Sequence, residues 1–144
     1  MRITELPAAQ QTQGLQVVEI PMTAEERCRV RRRLVAPDGR VLLLALPTGT
    51  VLRPGQLLAV QDGVAYRVAA AEEDVLVVHP RDLVEAVRIG HFFGNLHREL
   101  EVQGGAVVVL WEDALFQRAR HLGWRAERGR RPFHGRVPEG HYHP

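Results

Sequence analysis

Through the first half of this chain, turn-forming clusters recur so often that only short strands fit between them. Residues 27–35 alternate, with Cys28, Val30, Arg32 and Leu34 on one face and Arg27, Arg29, Arg31 and Arg33 on the other. This is the two-residue period of a half-buried strand, with Arg32 as the exception on the apolar side. Pro37-Asp38-Gly39 follows, and then an apolar run at 41–46, so strand, turn and strand predict a hairpin. The same logic repeats at 56–60, Gln61-Asp62-Gly63 and 64–70. A further strand at 15–20 is expected to end at Pro21, and Pro47-Thr48-Gly49 and Arg53-Pro54-Gly55 are additional breaks. Residues 1–72 therefore read as a small all-β domain.

The period changes after the acidic hinge Ala71-Glu72-Glu73-Asp74. Residues 75–78 form a buried-strand signal stopped by His79-Pro80, and Asp82 suits the cap of a helix. On that helix Leu83, Val87, Gly90, Gly94 and His97 recur at intervals of four, three, four and three, one stripe ending in a histidine. Two glycines cost a helix about 2 kcal/mol relative to alanine. Close approach of another backbone would explain them. Residues 100–102, a Gly104-Gly105 turn and residues 106–110 make another hairpin. Asp113 is expected to cap a second helix, with Leu115, Phe116, Ala119 and Leu122 inward and Gly123 as its stop. Residues 124–127 complete the pattern as a last strand.

The order β-α-β-β-α-β over residues 75–127 is the ferredoxin-like arrangement, and the fold class is α+β. Residues 128–144, rich in Arg, Gly, Pro and His, are expected to form a mobile tail. A domain of about seventy residues buries only about 60% of its unfolded surface. Either the halves pack together or the chain dimerises.

Composition excludes several classes. No run approaches the roughly 18 to 20 apolar residues of a membrane span, and the start of the chain lacks the charged-then-apolar pattern of a signal peptide. Cys28 is the single cysteine, so no internal disulfide forms, and a cytoplasmic protein is expected. All nineteen basic residues are arginine against seventeen acids, for a net charge of +2. The high pI of 9.3 reflects arginine's permanent charge more than a surplus of base. Neither a membrane nor a nucleic-acid partner is expected.

The histidines carry the remaining chemistry. His97 closes the helical stripe, His141 and His143 stand in the last five residues, and His134 lies just upstream. Neutral imidazole is the commonest protein ligand for borderline transition metals, and binding weakens as pH falls through about 6.5. A stable site needs four to six donors. His91 cannot join His97 from one helix, because six residues place the two rings on different faces. A two-fold dimer with His97 near its axis pairs two copies of that ring, and tail histidines would complete four nitrogens. Such a set suits Ni, Cu or Zn. The competing reading makes His97 a helix-end residue favoured by the dipole and the tail a solvated terminus.

Taken together, these residues resemble the UreE family of urease accessory proteins. The resemblance rests on Asp38-Gly39-Arg40, Leu42-Leu43-Leu44 and Leu46-Pro47-x-Gly49-x-x-Leu52-Arg53-x-Gly55 in the first half. In the second half it rests on Gly94-Asn95-x-His97, the helix from Ala114-Leu115 to Gly123, and Pro132-Phe133 before a histidine-bearing end. It implies a β domain similar to a chaperone peptide-binding fold, and a ferredoxin-like domain that dimerises. It further implies a nickel metallochaperone, not an enzyme, with Ni2+ held at the dimer interface by His97. His141 and His143 would assist, and the ion would pass to the urease apoprotein with its accessory GTPase complex. Three departures stand out: only two histidines remain in the end of the tail, Trp111 and Asp113 occupy places where some relatives carry a histidine pair, and the histidine of His91-Phe92-Phe93 is displaced by one. The peripheral site formed by that pair is therefore expected to be absent. A metal-independent interaction scaffold and an arginine-rich nucleic-acid-binding module are the rival readings.

Overall fold

A computed structural model describes residues 1–138, which form two units, one ending at Ala70 and the next beginning at Ala71. The first contains β1 (Arg2–Ile3), β2 (Gln16–Met22), β3 (Arg31–Val35), β4 (Val41–Ala45), β5 (Leu57–Gln61) and β6 (Val64–Ala70). They make two three-stranded sheets, ordered β1-β4-β3 and β2-β6-β5. Both feed one core, in which Leu34, Leu42 and Leu44 join Ile20, Leu58, Tyr66 and Val68.

Both expected hairpins form. β3 and β4 pair antiparallel with Leu34 opposite Leu42, across a turn in which Gly39 N–H donates to Ala36 O at 2.8 Å. β5 and β6 are joined by Asp62 and Gly63, at φ 54° and 77°. Two positive φ values are what the two-residue turn of a right-twisted hairpin requires, and Asp-Gly supplies them with little strain.

Two boundaries differ from the sequence reading. β2 runs through Pro21 to Met22. It is an edge strand, paired only with β6, where the missing N–H of proline removes no ladder bond on the open side. Residues 26–28 form a 3-10 turn instead of the start of a strand. Thr23 N–H donates to Glu26 Oε1 at 2.9 Å and Glu26 N–H to Thr23 Oγ1 at 3.2 Å, a reciprocal cap that favours the turn. The turn carries Arg27 inward. Only 2% exposed, its guanidinium donates to Met22 O at 2.8 Å, whereas the alternation had placed it on the solvated face.

The second unit contains β7 (Glu72–His79), α1 (Leu83–Asn95), β8 (Glu101–Gln103), β9 (Ala106–Leu110), α2 (Asp113–His121) and β10 (Arg125–Pro132). Its sheet is antiparallel in the order β10-β7-β9-β8, the interleaved order that a β-α-β-β-α-β chain takes in the ferredoxin-like fold. Leu76, Val78, Val107 and Val109 pack against Ile89 and Phe93 of α1 and Leu115 of α2.

β10 is longer than the four residues expected, because every residue to Pro132 pairs with β7. Residues 128–132, read as the start of the tail, thus belong to the sheet. Gly129 fits there because a Cβ would press to 3.2 Å of the Val77 side chain. Beyond the strand, Phe133 is fully buried. No helix of the described residues is long and apolar enough to cross a membrane.

Candidate metal centre

His97 sits immediately beyond α1. The helix starts where Asp82 accepts from Glu85 N–H at 2.8 Å, the cap expected. It ends in a double backbone bond: His97 N–H donates to Gly94 O and Arg98 N–H to Phe93 O, both at 3.0 Å. This is the Schellman closure, whose turning residue must adopt a left-handed backbone. That residue is His97, at φ 57°.

α2 ends in the same way, with Gly123 N–H bonded to Arg120 O, Trp124 N–H bonded to Ala119 O, and Gly123 at φ 80°. One helix therefore uses glycine at this position and the other histidine. Left-handed geometry costs a residue with a Cβ about 1 kcal/mol or more. The His97 side chain is exposed and gains no burial in return.

The face of α1 leading to His97 is not the face that fills the core. Ile89 and Phe93 are buried, while Leu83 is 79% and Val87 64% exposed. A Cβ at Gly90 or Gly94 would meet no atom within 4 Å. The stripe read from the sequence exists, then, but points away from its own sheet, and the room beside its glycines is not filled within the chain.

Two contacts hold the neighbourhood. Arg98 donates from Nε to Glu112 Oε2 at 2.6 Å and from Nη2 to Glu112 Oε1 at 3.0 Å. Glu112 occupies the cap position of α2, which Asp113 was expected to fill. The Asp113 carboxylate instead accepts from Trp111 Nε1 at 2.8 Å. Farther on, His134 Nδ1 lies 2.7 Å from Glu101 Oε1 on β8. A carboxylate only accepts, so Nδ1 carries the proton and a neutral ring keeps its lone pair on Nε2, the nitrogen open to a metal. Local spacing gives no sign of either contact, since 14 and 33 residues separate the partners.

Among the described residues no group of three or more His, Cys, Asp or Glu is placed to hold a metal. His97 and His134 are thus single donors in one chain. His141 and His143 lie outside the described residues. His91 and His121 are exposed, and His79 Nε2 lies 3.6 Å from Glu127 Oε1.

An all-β unit followed by a ferredoxin-like unit whose first helix ends in an exposed histidine defines a two-part α+β protein. Family models separate the chain in the same way: the UreE urease accessory protein N-terminal domain matches residues 2–71 and the C-terminal domain residues 73–144. The chain belongs to the UreE family. It is 55% identical over 131 residues to the urease accessory protein UreE of Synechococcus sp. (strain JA-3-3Ab), covering 91% of this chain and 88% of that one. Identity to UreE of Deinococcus radiodurans is 52% over 119 residues, covering 83% and 77%. UreE of Burkholderia mallei (strain SAVP1) is 35% identical over 127 residues, covering 86% of this chain and 63% of that one.

Proposed function

We propose that this chain is a nickel metallochaperone, an accessory protein rather than an enzyme, that carries Ni2+ as cargo for urease maturation. Its relatives are named as urease accessory proteins, and family membership supports the same role here. In this reading two chains form a homodimer through the exposed face of α1. Two His97 rings then meet near the two-fold axis, because an isologous contact brings such residues to their own copies. His141, His143 and His134 supply further nitrogens, a donor set that also admits Zn2+ or Cu2+. The urease apoprotein and its accessory GTPase complex receive the ion in the cytoplasm.

One observation carries the reading: His97 holds a backbone conformation that favours glycine, at the open end of an unfilled glycine-bearing face. Strain of this kind persists where a side chain is needed for something other than stability. Release follows from the ligand type. Without thiolates, imidazoles exchange one at a time, with His97 as anchor and the tail histidines as gate.

Titration calorimetry with Ni2+ at neutral pH, with mass measured in parallel, tests the site. Tight binding at one ion per dimer, lost in His97→Ala, is expected. Binding indifferent to His97 would return the scaffold reading to the front.

A further inference from the structure

The arginine-rich stretch has a disposition that nickel handling leaves unused. β3 is the outer strand of its sheet, so one edge has no strand partner among the described residues. The ladder bonds decide which residues face that edge. Ala36 N–H donates to Arg40 O at 2.8 Å and Leu46 N–H to Val30 O at 3.0 Å. Bonding alternates along an antiparallel ladder, so Val30, Arg32, Leu34 and Ala36 bond inward, to residues 40–46 of β4 and its flanks. The backbone N–H and C=O of Arg31, Arg33 and Val35 therefore point to the open edge.

The side chains of the same three residues are exposed. Opposite Arg33 in register stands Leu43, itself opposite Arg2 of β1. The outer face thus carries three guanidinium groups around an aliphatic strip in which Val41 and Ala45 are half-buried and Leu43 and Val35 stand exposed at 43% and 54%. Arg29, Arg32 and Arg40 are paired with Glu25, Glu26 and Asp62. Arg2, Arg31 and Arg33 have no carboxylate at ion-pair distance among the described residues.

We propose that the open edge and outer face of β3 bind an extended acidic segment of another polypeptide, added as an antiparallel strand. Strand addition supplies backbone bonds to Arg31, Arg33 and Val35, while side chains set the sequence preference. Residues opposite Arg31 and Arg33 would be acidic, since guanidinium matches carboxylate in a two-bonded fork. The residue opposite Val35 would be apolar. Read along the incoming chain, the motif is apolar-x-acid-x-acid. Arginines interleaved with aliphatic side chains, without an aromatic ring on the face, suit a polypeptide better than stacked bases. The proposal requires neither nickel nor the dimer.

Fluorescence polarisation with the full chain and a short labelled peptide carrying the motif, valine-threonine-glutamate-threonine-glutamate, tests it. Saturable binding that weakens with salt is expected, with affinity reduced about tenfold or more in Arg31→Glu/Arg33→Glu. Arg31→Lys/Arg33→Lys should fall between the two. In the wild type, hydrogen exchange at the amides of Arg31, Arg33 and Val35 should slow when peptide is added, a readout independent of whether the charge-reversed variant folds. No binding, or binding without protection of those amides, would overturn the proposal and leave the arginines as guards against edge-to-edge pairing. Equal or tighter binding of a single-stranded oligonucleotide, or of vesicles containing anionic lipid, would also overturn it.

Discussion

Arg98 grips Glu112 through two hydrogen bonds, at 2.6 and 3.0 Å, and so ties the turn that carries His97 to the first residue before α2. Both side chains are mostly buried, at 21% and 26% exposure, so the pair is screened less than an open surface bridge. Arg98→Ala should lower stability by about 1 kcal/mol, read from the urea midpoint. It should also weaken Ni2+ binding several-fold while leaving every histidine in place. Unchanged affinity would mean that the turn holds His97 without this tie.

The two helix ends offer an internal control on strain. Because Gly123 closes α2 in the geometry that His97 closes α1, His97→Gly should raise stability by about 1 kcal/mol, whereas His97→Ala should not. Both should lose tight Ni2+ binding. A glycine variant no more stable than wild type in thermal unfolding would show that the left-handed turn is relaxed with histidine.

The open face of α1 separates chain stability from assembly. Gly90→Ala places a methyl where no atom lies within 4 Å, so the isolated chain should gain up to about 1 kcal/mol of helix propensity. The same methyl should weaken the proposed dimer, and Val87→Glu should abolish it, both read by sedimentation. A monomeric wild type, or a dimer unaffected by Val87→Glu, would remove α1 from the interface.

In the first unit, Tyr66 Oη–H donates to Asp38 Oδ2 at 2.7 Å. That bond, followed by the Arg40 N–H, holds the Asp38 carboxyl below its ordinary value of 3.8. Burial, followed by the same bond, raises the Tyr66 hydroxyl above 10.0. Asp38 therefore stabilises the fold above pH 3.8, and that contribution disappears as pH falls through its lowered folded value. Tyr66 stabilises it below pH 10.0 and ceases to do so as pH rises toward its raised folded value. In Tyr66→Phe the acid limb of the stability curve should move to higher pH and the tyrosine step should vanish from the alkaline limb. Urea midpoints across pH would measure both.

Removing the last residues, His141 and His143 included, tests the gate. Faster Ni2+ release with dimerisation unchanged is expected. Equal affinity and equal release rate would leave His97 acting without the tail.

Local chemistry was legible in the chain alone wherever neighbours in sequence decide the outcome. Asp62-Gly63 supplies two left-handed residues and forms a hairpin, Asp82 caps α1, Gly123 stops α2, and the strand-helix order yields the ferredoxin-like sheet. His97 was legible as a helix-end donor because it closes a periodic stripe. Tertiary structure alone decided the rest. The stripe from Leu83 to Gly94 has the period of a core face, yet Ile89 and Phe93 fill the core, since an amphipathic pattern does not say which of two apolar faces meets the sheet. Arg27 alternates like a solvated strand residue but is buried, because the Thr23–Glu26 cap turns the chain and Met22 O receives its guanidinium. The pairings of Arg98 with Glu112 and of His134 with Glu101 join residues far apart in sequence, and such contacts exist only once the strands have set their register.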